Sequence, residues 1–348
     1  MRILHIMASK ALGGAETYST DVMLSLHKMG IDQCVVMPKD APRYLELEAA
    51  GIRMAPHVFA SPFVPLQRLL TRFLIKREKP DIVHTWMRRG AALAGKNKKE
   101  EKKPLILGWF GGYYDTSKFK NCAHLVGVTK DIVAHMVKNG VPAANAHFIP
   151  TFPDITTVPP IDRATLSTPR DAKVLLALSR MHPKKGLDTL LVSLKGLPDC
   201  VVWLAGDGPL QHKLENLAQE LGVIDRVRFL GWRTDRSALL RAADVCVLPS
   251  RYEPFGTVIL EAWAAGTPLV ACASAGPAAH VENESTGLLT PIDDVRALTA
   301  ALRRALDDEE LRRRLVAKGY AAYIKDFTRE SVTRQWIEFY KSLIQEKK

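Results

Sequence analysis

Residues 250–268 read SRYEPFGTVILEAWAAGTP, and the other parts of the sequence are best interpreted from this stretch. Every residue from 257 to 265 is apolar or small except Glu261. A helix of this composition has too little polar surface to lie open to water, so the segment predicts a buried helix. Because an unpaired buried carboxylate is costly, we expect Glu261 to have a strong hydrogen-bond partner, from the protein or from a ligand.

A second carboxylate, Glu253, stands eight residues before Glu261. Pro254 favours an extended or turn conformation at Glu253, and Phe255-Gly256 then opens the helix. The first backbone N–H groups of that helix are expected to point at whatever lies beside Glu253. This arrangement suits an anionic, hydroxyl-rich ligand. The simpler alternative is a buried helix whose one glutamate is satisfied by a neighbouring arginine.

The pattern E-P-F-G-x-x-x-x-E, followed by A-x-A-A-G-T-P, resembles the donor-site signature of retaining glycosyltransferases of family four, which adopt the GT-B fold. The resemblance implies that Glu253 and the adjacent backbone hold the hydroxyls of the donor sugar, and that Glu261 binds the two ribose hydroxyls. The residues it implies at the donor are Gly13, Gly14, Asp207, Phe255, Gly256, Thr257, Val258 and Glu261.

Length and composition are those of an ordinary globular protein. The 348 residues predict two domains, with 47% apolar and 25% charged residues. We find no signal-peptide pattern and no run of 18 apolar residues, which predicts a protein that is neither secreted nor membrane-spanning. The five cysteines are scattered without a CxxC motif, as expected of reduced thiols in a cytosolic protein.

The formal charge of +12 is concentrated in the first part of the chain. Residues 1–150 hold 22 Lys and Arg against 12 Asp and Glu, whereas residues 151–348 hold 27 against 25. This asymmetry indicates an anionic partner for the first part: nucleic acid, anionic lipid or an acidic small substrate. No nucleic-acid-binding module is recognisable, so nucleic acid is not expected as the partner.

The N-terminal part predicts a buried strand over residues 2–8, the loop GGAE at residues 13–16, and then a helix. A strand, a glycine loop and a helix N-terminus together form an anion site, although such loops also serve as plain turns. GGAE resembles the family-four N-terminal loop, whose backbone approaches the donor diphosphate and the acceptor. Further strands at 34–37, 82–85, 105–107 and 124–128, alternating with helices, predict a parallel sheet covered on both faces.

The segment GWFGGYYD, residues 108–115, departs from the family pattern. Many members carry a histidine just after the corresponding strand, in contact with the sugar, and this chain has Trp109-Phe110 and a glycine pair instead. The segment is either a floppy turn or an acceptor platform on which aromatic faces meet sugar rings. Our acceptor candidates are Glu16, His84, Gly111, Gly112 and Tyr113, with a capping or core role as the alternative for His84.

A stretch rich in Pro and Thr, residues 150–169, predicts a linker, and a strand over 173–179 begins the second domain. The strand leads to Arg180 and then to Lys185-Gly186, which is either a basic turn or, by the resemblance, a pair of cations that clamps a diphosphate. Ser179 stands where the family usually has glycine. The turn GDGP at residues 206–209 also resembles the family, where it lies close to the nucleotide; we expect its role to be partly structural.

The fold we expect is therefore α/β of the GT-B type, with two Rossmann-like domains whose parallel sheets face one another across a cleft. Residues 1–155 would form the acceptor domain, residues 170–325 the nucleotide-sugar domain, and residues 326–348 a helix that crosses back to the first domain. The resemblance implies catalysis by Arg180, Lys185 and Glu253 with retention of configuration, Glu253 acting as a positioning group. No Asp-x-Asp motif occurs, and we expect neither a metal nor a cofactor beyond the nucleotide sugar.

The expected function is transfer of a hexosyl unit to a saccharide or lipid-linked saccharide in lipopolysaccharide or other cell-envelope glycan synthesis. We expect a UDP-sugar as the donor because UDP is the commonest donor nucleotide in the family. Two alternatives remain: a nucleotide-sugar epimerase of the same fold, and a non-catalytic protein that binds a sugar nucleotide or lipid. The sequence leaves open the sugar, the base, the acceptor and its linkage, and the oligomeric state.

Residues 65–79 predict a helix with Leu66, Leu69, Leu70, Phe73 and Leu74 on one face and basic residues mostly off it. This apolar face either packs on the sheet or belongs to a membrane-docking surface. Arg88-Arg89 and the lysine-rich run 96–103 add positive charge to the same domain. We therefore hypothesise a cytoplasmic protein that docks peripherally, through its N-terminal domain, on the anionic inner face of the cytoplasmic membrane.

Overall fold

The structure is a computed structural model that describes residues 1–11, 13–95 and 104–346. It divides into unit 1 (Met1–Thr151 with Arg329–Lys348) and unit 2 (Phe152–Thr328). The strands and helices of unit 1 up to its boundary are β1 (Arg2–Met7), α1 (Gly14–Lys28), β2 (Asp32–Val36), α2 (Tyr44–Ala49), β3 (Arg53–Met54), α3 (Val64–Glu78), β4 (Ile82–Trp86), α4 (Met87–Ala94), β5 (Leu105–Phe110), β6 (His124–Gly127), α5 (Lys130–Lys138) and β7 (Ala146–Phe148).

Unit 2 continues the alternation of strands and helices, and the last helix returns to unit 1. Its elements, followed by that helix, are β8 (Lys173–Leu178), α6 (Leu187–Ser193), β9 (Cys200–Ala205), α7 (Gln211–Glu220), β10 (Val227–Gly231), α8 (Arg236–Ala242), β11 (Val245–Leu248), α9 (Thr257–Ala265), β12 (Leu269–Cys272), α10 (Ala275–His280), β13 (Leu288–Thr290), α11 (Val295–Asp307), α12 (Glu309–Ala322) and α13 (Arg329–Glu346).

Each unit is built on one parallel sheet, as predicted. The strand order is β3-β2-β1-β4-β5-β6-β7 in unit 1 and β10-β9-β8-β11-β12-β13 in unit 2. The inner strands are buried along nearly their whole length, as expected for sheets covered on both faces by helices. In each sheet the order reverses next to the first strand, at β1/β4 and at β8/β11. Ligands of open α/β sheets bind at such reversals, beyond the carboxyl ends of the strands.

Three local features were not predicted. β3 and β7, of two and three residues, lie at the edges of the first sheet and are too short to show a periodic pattern. α4 begins at Met87, whose φ of 59° is unusual for a residue other than glycine. The residues Gly108-Trp109-Phe110, which we had assigned to a loop, complete strand β5.

Most of the stretch predicted to be a linker is packed on unit 2. Arg163 donates hydrogen bonds to the carbonyl of Ala242 and to Asp244, and the N–H of Ile161 donates to the carbonyl of Ala238. The boundary between the units therefore falls at residues 151/152, not at 155–170. A Pro- and Thr-rich composition disfavours regular structure, but it does not prevent an irregular segment from packing through its backbone.

α13 packs on α1 through an aromatic cluster in the core of unit 1. The indole N–H of Trp336 donates to the Tyr18 hydroxyl at 3.1 Å, and His84 Nδ1 lies 2.7 Å from the Tyr340 hydroxyl. His84 is fully buried and stacks on Trp86 at a centroid distance of 4.1 Å. Its ring centroid lies 5.4 Å from that of His5, which is also fully buried. These long-range contacts join the two ends of unit 1.

The two buried histidines predict that unit 1 is sensitive to acid. Burial lowers the pKa of His5 to about 3 and that of His84 well below its usual value of 6.5. In the unfolded chain both take up a proton near pH 6.5, so their contribution to stability is complete above that pH and is lost as the pH falls. We expect the free energy of unfolding to fall by up to about 1.4 kcal/mol per pH unit for each histidine below pH 6.

Urea unfolding between pH 7 and pH 4.5 measures this dependence. His84→Gln should lower the free energy of unfolding at pH 7. It should also reduce the dependence of that free energy on pH by an amount equivalent to about one proton taken up on unfolding. His57→Gln, at an exposed position, is the control. A slope that is the same in His84→Gln and in the wild type would contradict the prediction.

Candidate active site

The predicted catalytic residues of unit 2 follow its two central strands. Arg180 and Lys185 come after β8, and Glu253 comes after β11. β8 and β11 are neighbours in register, with Val245 opposite Leu175. Because the strands are parallel, both loops lie at the carboxyl edge of the sheet, at the point where the strand order reverses. The structure thus brings together residues that lie about 70 positions apart in the sequence.

Lys185 and Glu253 form an ion pair, with 2.6 Å between Lys185 Nζ and Glu253 Oε2. The pair is mostly buried, since the side chains are 23% and 14% exposed. Gly186 makes this approach possible. Its φ is +62°, and a Cβ at this position would lie 2.1 Å from the carbonyl oxygen of Pro249. Glycine is therefore required at residue 186 both by the backbone conformation and by the close contact with the loop that carries Glu253.

Arg180 is exposed and, within the described part of the chain, forms no ion pair. The GDGP turn packs directly against its backbone. A Cβ at Gly206 would lie 2.1 Å from the carbonyl oxygen of Ser179, and the Met181 N–H donates to the carbonyl of Asp207 at 2.7 Å. The glycines of this turn thus support the loop that carries Arg180, whereas the Asp207 side chain is exposed.

The buried helix predicted at residues 257–265 is confirmed as α9, with Gly256 as its N-cap at φ +87°. Phe255 is buried and lies edge-on to His280, Thr257 is exposed, and Val258 is half-buried in the first turn. The Ile259 N–H donates to the carbonyl of Gly256 at 2.8 Å. The N–H groups before Ile259 have no earlier turn of the helix to bond, so they are available at the carboxyl edge of the sheet.

Glu261 is 1% exposed, and Arg236 donates from Nη1 to its Oε1 at 2.5 Å. The second oxygen, Oε2, is buried without a partner among the described residues. Burial raises the pKa of the Glu261 carboxyl, while the charge of Arg236 opposes that rise and the charge of Asp154 adds to it. The alternative of a glutamate satisfied by an arginine is therefore correct for one oxygen only. The other remains an acceptor for a ligand hydroxyl.

Several buried polar atoms of unit 2 have no hydrogen-bond partner among the described residues, and they belong to the loops and helices at the carboxyl edge of the sheet. They are Ser179 Oγ, Ser250 Oγ, Glu261 Oε2, Ser274 Oγ and His280 Nε2. Buried polar atoms in folded proteins are nearly always paired, so a group of exceptions in one place needs an explanation. A polar ligand bound at this edge of the sheet would provide it.

Arg251 is a residue that our sequence analysis missed. Its guanidinium pairs with both oxygens of Asp188 and with Asp293, and it donates to the carbonyl of Pro183 at 2.8 Å. It thereby ties the loop of Lys185 to the loop of Glu253. Arg236 was also missed. Neither arginine lies within a sequence pattern that would predict its partner, because both pairings join segments that are distant in the chain.

In unit 1, the loop GGAE meets the start of α1, with Gly13 as N-cap and Gly14 as first residue, earlier than predicted. No atom lies within 4 Å of a Cβ placed at Gly14, so packing does not require glycine there. Glu16 accepts a hydrogen bond from the Ser9 hydroxyl at 2.5 Å, which holds the loop after β1 against the helix.

The other acceptor candidates of unit 1 have different environments. Gly111 lies against the indole of Trp109, where a Cβ would come within 2.3 Å of the ring, and Gly112 is buried. Tyr113 is half-buried and donates its hydroxyl to Asp131, at the start of α5. The segment is therefore a turn held by a hydrogen bond and by packing, and not a floppy turn. His84 lies in the core, where it exposes no atom to an acceptor, so we withdraw it from the candidates.

Among the described residues, no three His, Cys, Asp or Glu side chains lie together in a way that could hold a metal ion. No described helix combines the length and the apolar character needed to cross a bilayer. The run 96–103, which contributes to our membrane hypothesis, lies outside the described residues.

The chain matches the sequence profile of glycosyl transferases group 1 over residues 160–322 and that of glycosyltransferase family 4 over residues 12–157. It is 33% identical to the lipopolysaccharide core biosynthesis glycosyltransferase LpsE of Rhizobium meliloti over 341 residues, covering 97% of this chain and 98% of LpsE. Identity to LpsD of the same organism is 31% over 345 residues, covering 98% of both chains.

The crystal structure of HepE from Anabaena in complex with UDP and glucose superposes on this chain with a TM-score of 0.80, at 20% identity, covering 98% of this chain and 99% of HepE. That likeness shows the GT-B fold. The extent and identity of the match to the two Rhizobium proteins show the family. The chain belongs to the group 1 glycosyltransferases and is akin to the lipopolysaccharide-core enzymes among them.

Proposed function

We propose that this enzyme transfers a hexosyl unit from a UDP-sugar to a lipid-linked saccharide, with retention of configuration and without a metal ion. The observation that carries the proposal is the composition of the carboxyl edge of the sheet in unit 2. An exposed cation, a mostly buried Lys–Glu ion pair and a buried carboxylate with one oxygen that no described residue pairs lie there. In charge and hydrogen-bonding capacity, the two cations suit the diphosphate of a nucleotide sugar, and the two carboxylates suit the hydroxyls of its sugar and its ribose.

The ribose is assigned to Glu261. A carboxylate oxygen accepts hydrogen bonds from hydroxyls, and Oε2 of Glu261 is an acceptor that no described residue pairs. Arg236 holds the other oxygen and favours the ionised form of Glu261, which is the form that accepts from both ribose hydroxyls. Arg236 is therefore a positioning residue in this proposal, and UDP bound to HepE is consistent with a nucleotide at a site of this fold.

The diphosphate is assigned to Arg180 and Lys185. Departure of the nucleoside diphosphate breaks the bond between the anomeric carbon and a phosphate oxygen, and negative charge develops on that oxygen. Fixed cations stabilise this charge because they need no reorganisation when the bond breaks. Lys185 is held by Glu253 and Gly186, whereas Arg180 is exposed and able to reach a bound anion.

Glu253 is assigned to the hydroxyls of the donor sugar. One of its oxygens is engaged by Lys185 at 2.6 Å, which makes it a poor covalent nucleophile. We infer that the acceptor hydroxyl attacks the face from which the diphosphate leaves and passes its proton to the departing phosphate oxygen, so configuration is retained. Glu253 then positions the sugar and does not form a bond to it.

The acceptor is assigned to unit 1. Its excess positive charge suits an acceptor that carries phosphate or lies in an anionic surface, and both Rhizobium relatives are named for lipopolysaccharide core biosynthesis. We propose that an acceptor of this class is bound by residues near Gly14, Glu16 and Tyr113, and that the enzyme meets it at the cytoplasmic face of an anionic membrane.

The donor assignment is tested first by ligand-induced stabilisation. We expect UDP to raise the free energy of unfolding by about 2.7 kcal/mol at about 100 times its dissociation constant, and GDP and ADP to raise it less at the same concentration. No stabilisation by any nucleoside diphosphate would contradict the assignment of a nucleotide site.

Transfer is then tested with the UDP-sugar that stabilises most. Proton NMR of the product should show the anomeric configuration of the donor, because we expect retention. An inverted product would overturn the proposed attack geometry, and conversion of the donor sugar in the absence of acceptor would indicate an epimerase.

A further inference from the structure

Helix α3 packs on unit 1 through a side that mixes polar and apolar residues. Its buried residues are Gln67, Thr71, Leu74 and Glu78; Leu74 belongs to the apolar core, and the partly buried Leu70 and Ile75 pack against the same core. The polar side chains are mostly paired locally, although Gln67 Oε1 is buried without a partner among the described residues. Gln67 donates to the carbonyl of Ser61 at 2.7 Å, and the Glu78 carboxylate pairs with Arg53 at 2.5 Å and with Arg77 at 2.8 Å.

The apolar side of α3 faces solvent. Phe63, Leu69 and Phe73 are 62–63% exposed, Val64 and Leu66 are also exposed, and Leu70 is half-buried. The alternative in which this apolar stripe packs on the sheet therefore holds at Leu74 and Leu70, which contact the core, and not at Leu66, Leu69 and Phe73. Leu66, Leu69, Leu70 and Phe73 follow the i, i+3, i+4, i+7 spacing of one helix face. Single exposed apolar residues are normal, but a continuous row of them on one face indicates a docking surface.

A basic row lies beside the apolar row. Arg68, Arg72 and Lys76, spaced four residues apart, are all exposed, and the one carboxylate of the helix, Glu78, is buried in ion pairs. Arg68 also donates to the carbonyl of Ala92 in α4 at 3.2 Å, and α4 carries the exposed Arg88 and Arg89. The solvent side of α3 therefore combines a continuous apolar row with cations and no exposed anion.

We propose that α3 is an interfacial membrane anchor that lies in the plane of an anionic bilayer. Phe63, Leu66, Leu69 and Phe73 enter the boundary between headgroups and acyl chains, and Arg68, Arg72 and Lys76 bind anionic lipid headgroups. This inference rests on the proposed lipid-linked acceptor and deepens it, because it names the element that contacts the lipid. Apolar and basic rows side by side on a short helix are the features of helices that bind in this way.

A bilayer explains both rows better than a protein partner does. An apolar row along one face of an in-plane helix can enter the boundary between headgroups and acyl chains by about 5–10 Å. Cations spaced four residues apart contact lipid headgroups without a fixed geometry of partner carboxylates. A purely electrostatic contact would account for the basic row alone. The inference therefore differs from docking by charge in one measurable respect, which is the insertion of the apolar row.

The experiment compares three forms of the full chain by flotation with vesicles of phosphatidylcholine, with and without phosphatidylglycerol. The apolar variant carries Leu66→Ser, Leu69→Ser and Phe73→Ser, and the basic variant carries Arg68→Gln, Arg72→Gln and Lys76→Gln. We expect each to lower the partition coefficient on anionic vesicles at least about a hundredfold. Leu45→Ser, on the exposed side of α2, and Lys120→Gln with Lys138→Gln are the matched controls, which should bind as the wild type does.

Insertion itself is measured with Phe73→Trp and Leu45→Trp. The chain has six native tryptophans, so quenching is compared with that of the wild type. On anionic vesicles that contain brominated lipid, Phe73→Trp should show additional quenching and Leu45→Trp should not. Absence of additional quenching at residue 73, equal flotation of the apolar variant and the wild type, or equal binding of the wild type to neutral vesicles would overturn the proposal. So would absence of wild-type binding to anionic vesicles at low salt, which would favour a protein partner for this face.

UDP-induced stabilisation of the same variants separates this proposal from the proposed function. Retained stabilisation with lost flotation shows a folded enzyme that has lost its anchor, as we expect. Flotation through α3 in a protein that no nucleotide stabilises would leave the anchor in place and refute the donor site.

Discussion

Lys185→Ala and Arg180→Ala are each expected to slow sugar transfer at least about a hundredfold, the usual effect of removing one fixed charge-stabilising group. The loss should occur mainly in kcat, because the additional charge on the diphosphate develops as the bond between the anomeric carbon and the phosphate oxygen breaks. The two variants should differ in a second respect. Lys185 also neutralises Glu253, so its removal leaves a mostly buried carboxylate beside the diphosphate, whereas Arg180 forms no such pair within the described residues.

Lys184→Ala is the matched control for this prediction. Lys184 belongs to the same turn and carries the same charge, but its ammonium lies over the ring of Tyr252 at 4.4 Å and not against Glu253. Steady-state rates of the three variants, with and without EDTA, decide the matter. Comparable loss in Lys184→Ala would mean that general positive charge is sufficient. Activity that EDTA abolishes and a divalent ion restores would show that a metal carries the charge of the leaving group.

Glu261→Ala and Glu253→Ala are expected to damage different steps. Glu261→Ala should weaken UDP binding by about 1.5–3 kcal/mol, the usual loss for a charged hydrogen-bond partner, which is about 10- to 150-fold in the dissociation constant. Its paired Arg236 is 37% exposed and becomes hydrated after the substitution. Glu253→Ala should change UDP affinity little and lower turnover, because its carboxylate is assigned to the sugar and not to the nucleotide.

Calorimetry with UDP and steady-state kinetics on both variants test this division. Glu261→Gln keeps the size of the side chain and removes its charge, so it separates loss of the hydrogen bonds from collapse of the buried site. Unchanged UDP affinity in Glu261→Ala would refute the ribose assignment. A Glu253→Ala enzyme with normal turnover would place the sugar elsewhere.

Much of this molecule was predictable from short-range pattern alone. The apolar runs located the six strands predicted above to within three residues at each end, and the composition of residues 257–265 predicted α9 with the bounds that the structure shows. The sequence also put Arg180 and Lys185 directly after a predicted strand, and the parallel sheet of the structure places them with Glu253 at one carboxyl edge. These features are local: burial on both faces requires a continuous apolar strand, and a parallel sheet brings the ends of its strands together whatever their separation in sequence.

Only the tertiary structure decided which side chains meet and which face of a helix is buried. Glu261 is paired with Arg236 and Glu253 with Lys185, across 25 and 68 residues, and no local pattern identifies such partners. The same limit explains α3. Its periodicity located an apolar face at Leu66, Leu69 and Phe73. Periodicity does not determine whether that face is buried, because burial depends on contacts with segments that are distant in the sequence. There the carbonyl of Ser61 accepts from Gln67 and Arg53 pairs with Glu78, so the side that carries these residues with Leu70 and Leu74 is turned inward. Leu66, Leu69 and Phe73 are left to solvent.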